Sequence, residues 1–246
     1  MNDNIKILSG HQPTYLPWLG LFHKASLADI WIFEDFTQYQ VKDWYNRNYI
    51  KTPNGKIFLT VPVDLREGSI IPIKDVKISS GVNWAEDHWK KIKFNYSKAK
   101  YFKDYAGFFE EIYLNKKWNY LVDISRNMLD FFFSVFQINV DFKVGSEQNY
   151  QHKKSDLNLE MCLKHNAQIC VFGANGSDYV IKEDFEKHNV KFYFQNYNHP
   201  VYPQRYGEFI SHLSVIDLLF NCGQDSKNII LSGNVSKKEI FQNFAE

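Results

Sequence analysis

Cysteine is scarce in this chain: three residues in 246, Cys162, Cys170 and Cys222, widely spaced and without a Cys-x-x-Cys pair. That argues against a disulfide framework or a cysteine-based zinc site. Arginine is scarcer still for its class, with only Arg47, Arg66, Arg126 and Arg205 among 29 basic residues. Lysine is the default cation here, so each arginine marks a place where a forked donor for carboxylate or phosphate has been chosen. Neither sign of charge dominates. The formal net charge is +1, which leaves no electrostatic footprint for duplex nucleic acid. Long hydrophobic runs are missing too: FFFSVF at 131–136 falls far short of the roughly 20 apolar residues a membrane helix needs. The opening MNDNIKILSGHQ has no basic segment leading into an apolar one, so no signal peptide is expected. The chain reads as a soluble, cytoplasmic protein with no membrane partner. HExxH, GxSxG, Walker A and EF-hand patterns are all absent, so neither a hydrolase triad nor a metal site is expected.

What is present is ordinary in bulk and unusual in detail. The hydrophobic share of 44 % and charged share of 23 % exclude disorder for most of the chain. A chain of this length buries roughly 70 % of its unfolded surface and needs no metal to hold a core. Aromatic residues make up 17 %, with 21 Phe, 15 Tyr and six Trp. The polar tips of Tyr and Trp favour half-buried positions lining clefts.

The order of elements predicts an α/β fold. IKILSG (5–10) reads as a strand, LGLFHKASLAD (19–29) as a helix and IWIFED (30–35) as a buried strand. That is one βαβ unit, and it predicts a parallel pair. Ligands in such sheets sit beyond the carboxyl ends of the strands, which here carry Gly10, His11 and Gln12, then Glu34 and Asp35. YIKTPNGKIFLTVPV places a PNG turn between β-prone runs and predicts a hairpin. Residues 66–82 are irregular, with KDVKIS (74–79) a candidate strand. Residues 84–136 carry two to three helices, with Asn83 a candidate cap. Alternation then resumes: strand 138–144, helix 155–166, strand 167–173, helix 181–189, strand 190–197, helix 213–223 and a carboxyl-terminal helix. The expectation is a single α/β domain over 1–246, Rossmann-like, with a mainly parallel sheet, a β-hairpin, and 84–136 as a helical insert.

Five segments carry candidate chemistry. SGHQPTYLPWLG joins a strand to a helix through two prolines that keep it extended. In it His11 can exchange a proton near neutral pH, Gln12 can read a carbonyl or amide, and Tyr15 can stack or hydrogen bond. EDFTQYQVKDWYNRNYIK supplies Asp35, Gln38, Asn46, Arg47, Asn48 and Lys51. In extended chain Asn46 and Asn48 share one face and Arg47 points the other way, a fork suited to carboxylate or phosphate. GANGSDY (173–179) is a glycine-bearing loop after a strand, where Asp178 and Tyr179 are candidates for sugar hydroxyls. Its spacing falls short of a phosphate-loop signature. YNHPVYPQRYGEF contributes Tyr202, Gln204 and Arg205, and Asp217 sits in an otherwise apolar helix, where it must be paired or face a cleft. His88, Trp89 and Phe131 to Phe133 read as core, and Cys222 as a buried thiol.

HQPTYLPWLGLFHKASLADIWIFEDFTQYQVKDWYNRNYIK resembles the amino-terminal signature of the WbqC-like proteins. FGANGSDY, the Tyr202–Gln204 region and LSVIDLLFNCG resemble that family's carboxyl-terminal half, so the likeness spans nearly the whole chain. CVFGA at 170–174 departs from the Tyr-x-Ser-Gly expected before the glycine loop. The resemblance implies bacterial surface-polysaccharide gene clusters, such as O-antigen biosynthesis, and an activity named glycine transferase. By position it points to His11, Gln12, Tyr15, Asp35, Asn46, Arg47, Asn48, Tyr202, Gln204 and Asp217. The G-H-Q-P turn is also similar to the G-Q-Q turn of the bacillithiol cysteine-adding enzyme, a nucleotidyltransferase-like fold.

The function expected from this resemblance is amide formation between glycine and the amine of a dTDP- or UDP-linked deoxyamino sugar. His11 or Asp35 would take the amine proton. Gln12 or Asn46 would serve the oxyanion. Arg47, Lys51 and Arg205 would meet the diphosphate. The acyl donor stays open between ATP with Mg²⁺, an acyl thioester and an aminoacyl-tRNA. Two alternatives stand beside it: an acyl-CoA-dependent sugar N-acyltransferase, and a non-enzymatic protein that binds a sugar nucleotide.

Overall fold

A computed structural model describes residues 5–65 and 70–244; Arg66 lies outside them. Seven strands and nine helices follow one another among the described residues. Five strands form one parallel sheet: β1 (Ile7–His11), β2 (Ile30–Phe33), β5 (Asp141–Val144), β6 (Ile169–Phe172) and β7 (Lys191–Phe194). Their order is β5-β2-β1-β6-β7. Register pairs Gly10 with Ile32 and Ser9 with Val171. The α/β class with a mainly parallel sheet is therefore the observed one.

Side chains alternate across this sheet as strand geometry requires. Trp31 and Phe33 join a large cluster with α1 (Leu19–Leu27) and α4 (Leu121–Val135), whereas Ile30 and Ile32 face a second cluster with α5 (Lys154–Lys164) and α6 (Lys182–Lys187). Both faces are covered, which explains why β2 is a continuous apolar run. The hairpin β3 (Arg47–Thr52) and β4 (Gly55–Thr60) turns at Pro53–Asn54 and pairs antiparallel. The helical segment comprises α2 (Trp84–Tyr96), α3 (Phe102–Glu110), a π-helical turn at Glu111–Asn115 and α4, all packed on the larger cluster. Phe131 stacks on Phe108 with ring centres 3.7 Å apart, and Phe132 and Phe133 are buried.

Two sequence expectations need correction, and one helix was not foreseen. KDVKIS forms no strand: Ile73–Asp75 is a 3₁₀ turn, and only single bridges at Lys77 and Ile78 follow. Asn83 precedes α2 but does not cap it, because its side chain turns to Glu86. The helix expected at 213–223 is α7 (Val215–Cys222), capped by the Ser214 hydroxyl, and a short helix α8 (Ser226–Leu231) follows it unforeseen. The last helix is α9 (Lys237–Phe244).

Candidate functional site

The chain leaves β1 in one direction to reach β2 and β5, and later returns on the other side of β1 as β6 and β7. Strand order reverses between β1 and β6, and the crevice beyond their carboxyl ends is where open α/β sheets hold ligands. A cleft of about 520 Å³ lies at that edge. One wall is His11, Gln12 and Thr14; another is Trp18 with His212; the 40–45 loop brings Gln40, Asp43, Trp44 and Tyr45; Asn48 and Asn175 complete it. Two of the other hollows lie well away from it. One of 370 Å³ sits by Ala28, next to the start of β2 and thus at the amino edge of the sheet. The other is an open groove on α2 beside Lys93 and Phe94.

His11 is the last residue of β1, and Pro13 follows Gln12, which keeps the chain extended there. The His11 Nδ1 lies 2.8 Å from the Gln12 carbonyl oxygen. A carbonyl only accepts, so Nδ1 carries the proton. Nε2 is left as an acceptor with no hydrogen-bond partner among the described residues. Burial, with the nearby Lys24 ammonium, pulls the imidazole pKa down to about 3, so the ring is neutral at pH 7. The Thr14 hydroxyl also donates to the Gln12 carbonyl, at 3.2 Å, and fixes the turn. The Gln12 and Asn175 side-chain amides have no partner among the described residues and are available to a ligand.

Behind His11, two further side chains meet at Gly10. Lys24, on α1, is 6 % exposed and its Nζ donates to the Gly10 carbonyl at 2.8 Å. Glu34, just past β2, lies so near that a Cβ on Gly10 would sit 2.6 Å from its Oε1. Burial pushes the Glu34 pKa up to about 7, with Lys24 opposing. Gly10 is thus required by close approach, not by backbone conformation.

The other residues singled out from the sequence divide into groups. Asp35 is buried and accepts both the Ser146 amide at 2.8 Å and the Ser146 hydroxyl at 2.6 Å. Asn46 and Asn48 do share the inward face, where Asn46 donates to the Val61 carbonyl at 2.8 Å and Asn48 to that of Leu16 at 2.6 Å. Arg47 points the other way, and its fork closes on the carbonyls of Lys42 and Asp43 in its own loop. Tyr15 is fully buried, bonded to His88 Nδ1 at 2.7 Å and to the Tyr113 hydroxyl. Gln38 is exposed and bridges Pro72.

Lys51, Tyr202, Gln204 and Asp217 come together, but in the interior. The Asp217 carboxylate is fully buried and accepts from Tyr96 at 2.9 Å and Tyr202 at 3.0 Å. Lys51 Nζ donates to Gln204 Oε1 at 2.9 Å and to the Glu208 carbonyl at 2.5 Å. Desolvation lifts the Asp217 pKa to about 6 against these donors. This network pins the 200–210 loop to β3 and α7. Arg205 borders the groove on α2, away from the cleft. Asp178, which ends the turn that brings Asn175 to the cleft, and Tyr179, which follows it, are exposed.

No lysine or arginine lines the cleft, so the three cations expected to meet a diphosphate are elsewhere. The residues that sequence reasoning missed are Thr14, Trp18, Gln40, Asp43, Tyr45, Asn175, His212 and the buried Lys24. Trp18 stacks on His212 with ring centres 6.0 Å apart, and His212 adopts φ 57°, an uncommon backbone state for a residue with a side chain. Among the described residues no group of three or more His, Cys, Asp or Glu is placed to hold a metal. No described helix is long and apolar enough to cross a membrane.

Comparison with known proteins agrees with the sequence signature. The family model described as WbqC-like protein family matches residues 12–229. The uncharacterized protein Rv1507c of Mycobacterium tuberculosis is 30 % identical over 220 residues, which is 89 % of this chain and 95 % of the relative. No solved structure matches significantly. The matched range runs from Gln12, one residue past β1, into α8, and the chain belongs to the WbqC-like protein family.

Proposed function

We propose that this protein is an enzyme that joins a small amino acid, glycine by family resemblance, to the amine of a dTDP- or UDP-linked deoxyamino sugar. Such a reaction serves bacterial surface-polysaccharide biosynthesis. The observation that carries the reading is the His11 imidazole, neutral and with Nε2 unpartnered, at the cleft where β1 and β6 end.

The chemistry forms one C–N bond and breaks one bond from the acyl carbon to its leaving group. The amine must first lose a proton to become a nucleophile. His11 Nε2 is the acceptor this reading assigns. A base with a pKa near 3 is weak, but an anion bound beside it favours the protonated ring and lifts that value. Asp35 is the poorer choice, since Ser146 already occupies both its oxygens. The Gln12 amide serves the oxyanion of the tetrahedral intermediate. Trp18, Trp44 and Tyr45 offer faces for the base and sugar.

Mass spectrometry of the purified protein with a panel of dTDP- and UDP-amino sugars tests this. Glycine with ATP and Mg²⁺ is supplied in one arm, and acyl-CoA donors in another. A gain of one glycyl residue on one sugar nucleotide is expected. An acyl product from CoA supports the alternative transferase. No product in any arm, with tight sugar-nucleotide binding, supports the non-enzymatic binding protein.

A further inference from the structure

The cleft has no cation on its walls, yet a buried one stands directly behind it. Lys24 lies on α1 with 6 % of its surface exposed. Its ammonium has three donors and, among the described residues, one hydrogen-bond acceptor, the Gly10 carbonyl at 2.8 Å, with the Trp31 ring centre 5.7 Å away. No carboxylate oxygen of the described residues lies within 4 Å of it; Glu34 acts on it only at longer range. A buried ammonium left short of two partners is costly. Something is expected to complete it.

Gly173 shows where. It follows β6 and opens the 174–178 turn, with φ −70° and ψ 172°. Any residue adopts that conformation, so backbone freedom does not explain the glycine. What the missing side chain leaves is space. A Cβ built there meets no heavy atom within 4 Å except the Lys24 Nζ, at 4.0 Å. The ammonium therefore borders an open volume at the carboxyl ends of β1 and β6. Asn175, two residues on, lines the cleft.

We infer that Lys24 is the anion-binding cation of this protein, and that its ammonium takes phosphoryl oxygens of a nucleotide diphosphate in the space over Gly173. The inference rests on the proposed nucleotide-linked substrate for its ligand class. It assigns the role to a residue on the crossover helix, where Arg47, Lys51 and Arg205 had been the candidates. Burial lowers the Lys24 pKa, and a bound phosphate would offset that.

Isothermal titration of the full-length protein with UDP, uridine and inorganic pyrophosphate tests it. The wild-type protein is expected to bind UDP, to bind uridine far less well, and to release UDP to pyrophosphate. Lys24→Met removes the charge at similar volume and should weaken UDP binding by about tenfold or more. It should fold, because without Lys24 the buried Glu34, whose pKa is already raised to about 7, takes up a proton and leaves no unpaired charge. Gly173→Val fills the space without touching the charge and should weaken UDP binding to a similar degree. Wild-type affinity for UDP in both variants overturns the inference, as does uridine binding as tightly as UDP, or no binding of UDP by the wild-type protein. Failure of the aminoacyl-transfer reading looks different: Lys24-dependent UDP binding persists while no glycyl product forms.

Discussion

Gly20 is the surface against which the Trp18 indole lies. A Cβ on Gly20 would fall 2.2 Å from the indole Cη2 and 2.5 Å from two further ring atoms. The indole cannot stay where it is if Gly20 becomes alanine. Alanine gains up to about 1 kcal/mol in helix propensity, but overpacking of this kind costs roughly 1–3 kcal/mol, so the ring must leave. Gly20→Ala is expected to swing Trp18 off His212 and out of the cleft wall. Tryptophan fluorescence should shift and sugar-nucleotide affinity should fall about tenfold, with the far-ultraviolet dichroism unchanged. Unchanged affinity would remove Trp18 from the binding surface.

His11 divides its two nitrogens between structure and chemistry. His11→Asn retains a donor for the Gln12 carbonyl and lacks Nε2. Turnover should drop by about 10²- to 10⁴-fold, while the melting temperature changes little. Because its pKa lies near 3, the His11 ring of the free protein should show no titration between pH 5 and 8 by NMR. A His11 titration midpoint near 6.5 would contradict the burial argument.

Glu34 sets a pH dependence of opposite sign to the usual carboxylate. Its pKa is raised from 4.5 to about 7. Below pH 4.5 it is protonated folded and unfolded alike. As pH rises toward 7 the unfolded chain loses the proton and the native state keeps it, so stability falls. The loss is complete above pH 7 and amounts to at most roughly 3 kcal/mol. Glu34→Gln should match the wild-type protein at pH 4.5 and exceed it at pH 8 in urea titrations. Equal stability at both pH values would show that Glu34 is well solvated.

Asp217 is held as a structural carboxylate by two tyrosine hydroxyls. Asp217→Ala strands both hydroxyls in the interior and is expected to cost about 3–5 kcal/mol. Tyr96→Phe and Tyr202→Phe should each cost about 1–2 kcal/mol, less than the alanine change because one donor remains. Urea midpoints decide it. A stable Asp217→Ala protein with only a raised KM would return Asp217 to the substrate-binding residues.

The elements were legible where local chemistry decides them. IWIF is a strand because both its faces are buried, and PNG carries its own local turn signal between β3 and β4. The alternation of Asn46, Arg47 and Asn48 was readable from strand geometry. What those side chains touch was not, since Val61, Leu16, Lys42 and Asp43 reach them through the hairpin and the 40–45 loop. KDVKIS has the right composition for a strand, but Ile73 and Val76 are buried under α4 and the chain finds no partner strand.

In the site, His11 and Gln12 were legible because strand, proline and polar residues coincide. Lys24 was not. Within HKASLAD a lysine reads as a solvated helix residue, and only the packing of α1 against β1 buries its ammonium. Trp18 and His212 lie nearly 200 residues apart, and the bridge from Trp18 to Ser214 brings them together. No spacing in the sequence encodes that contact.

Ligand is expected to occupy the carboxyl edge of the sheet between His11 and Asn175. A crystal structure of the protein soaked with UDP tests it most directly. Diphosphate is expected over Gly173 within hydrogen-bonding reach of Lys24, and the base between Trp18 and Trp44. Nucleotide bound instead on the α2 groove beside Phe94, or in the hollow by Ala28, would contradict it.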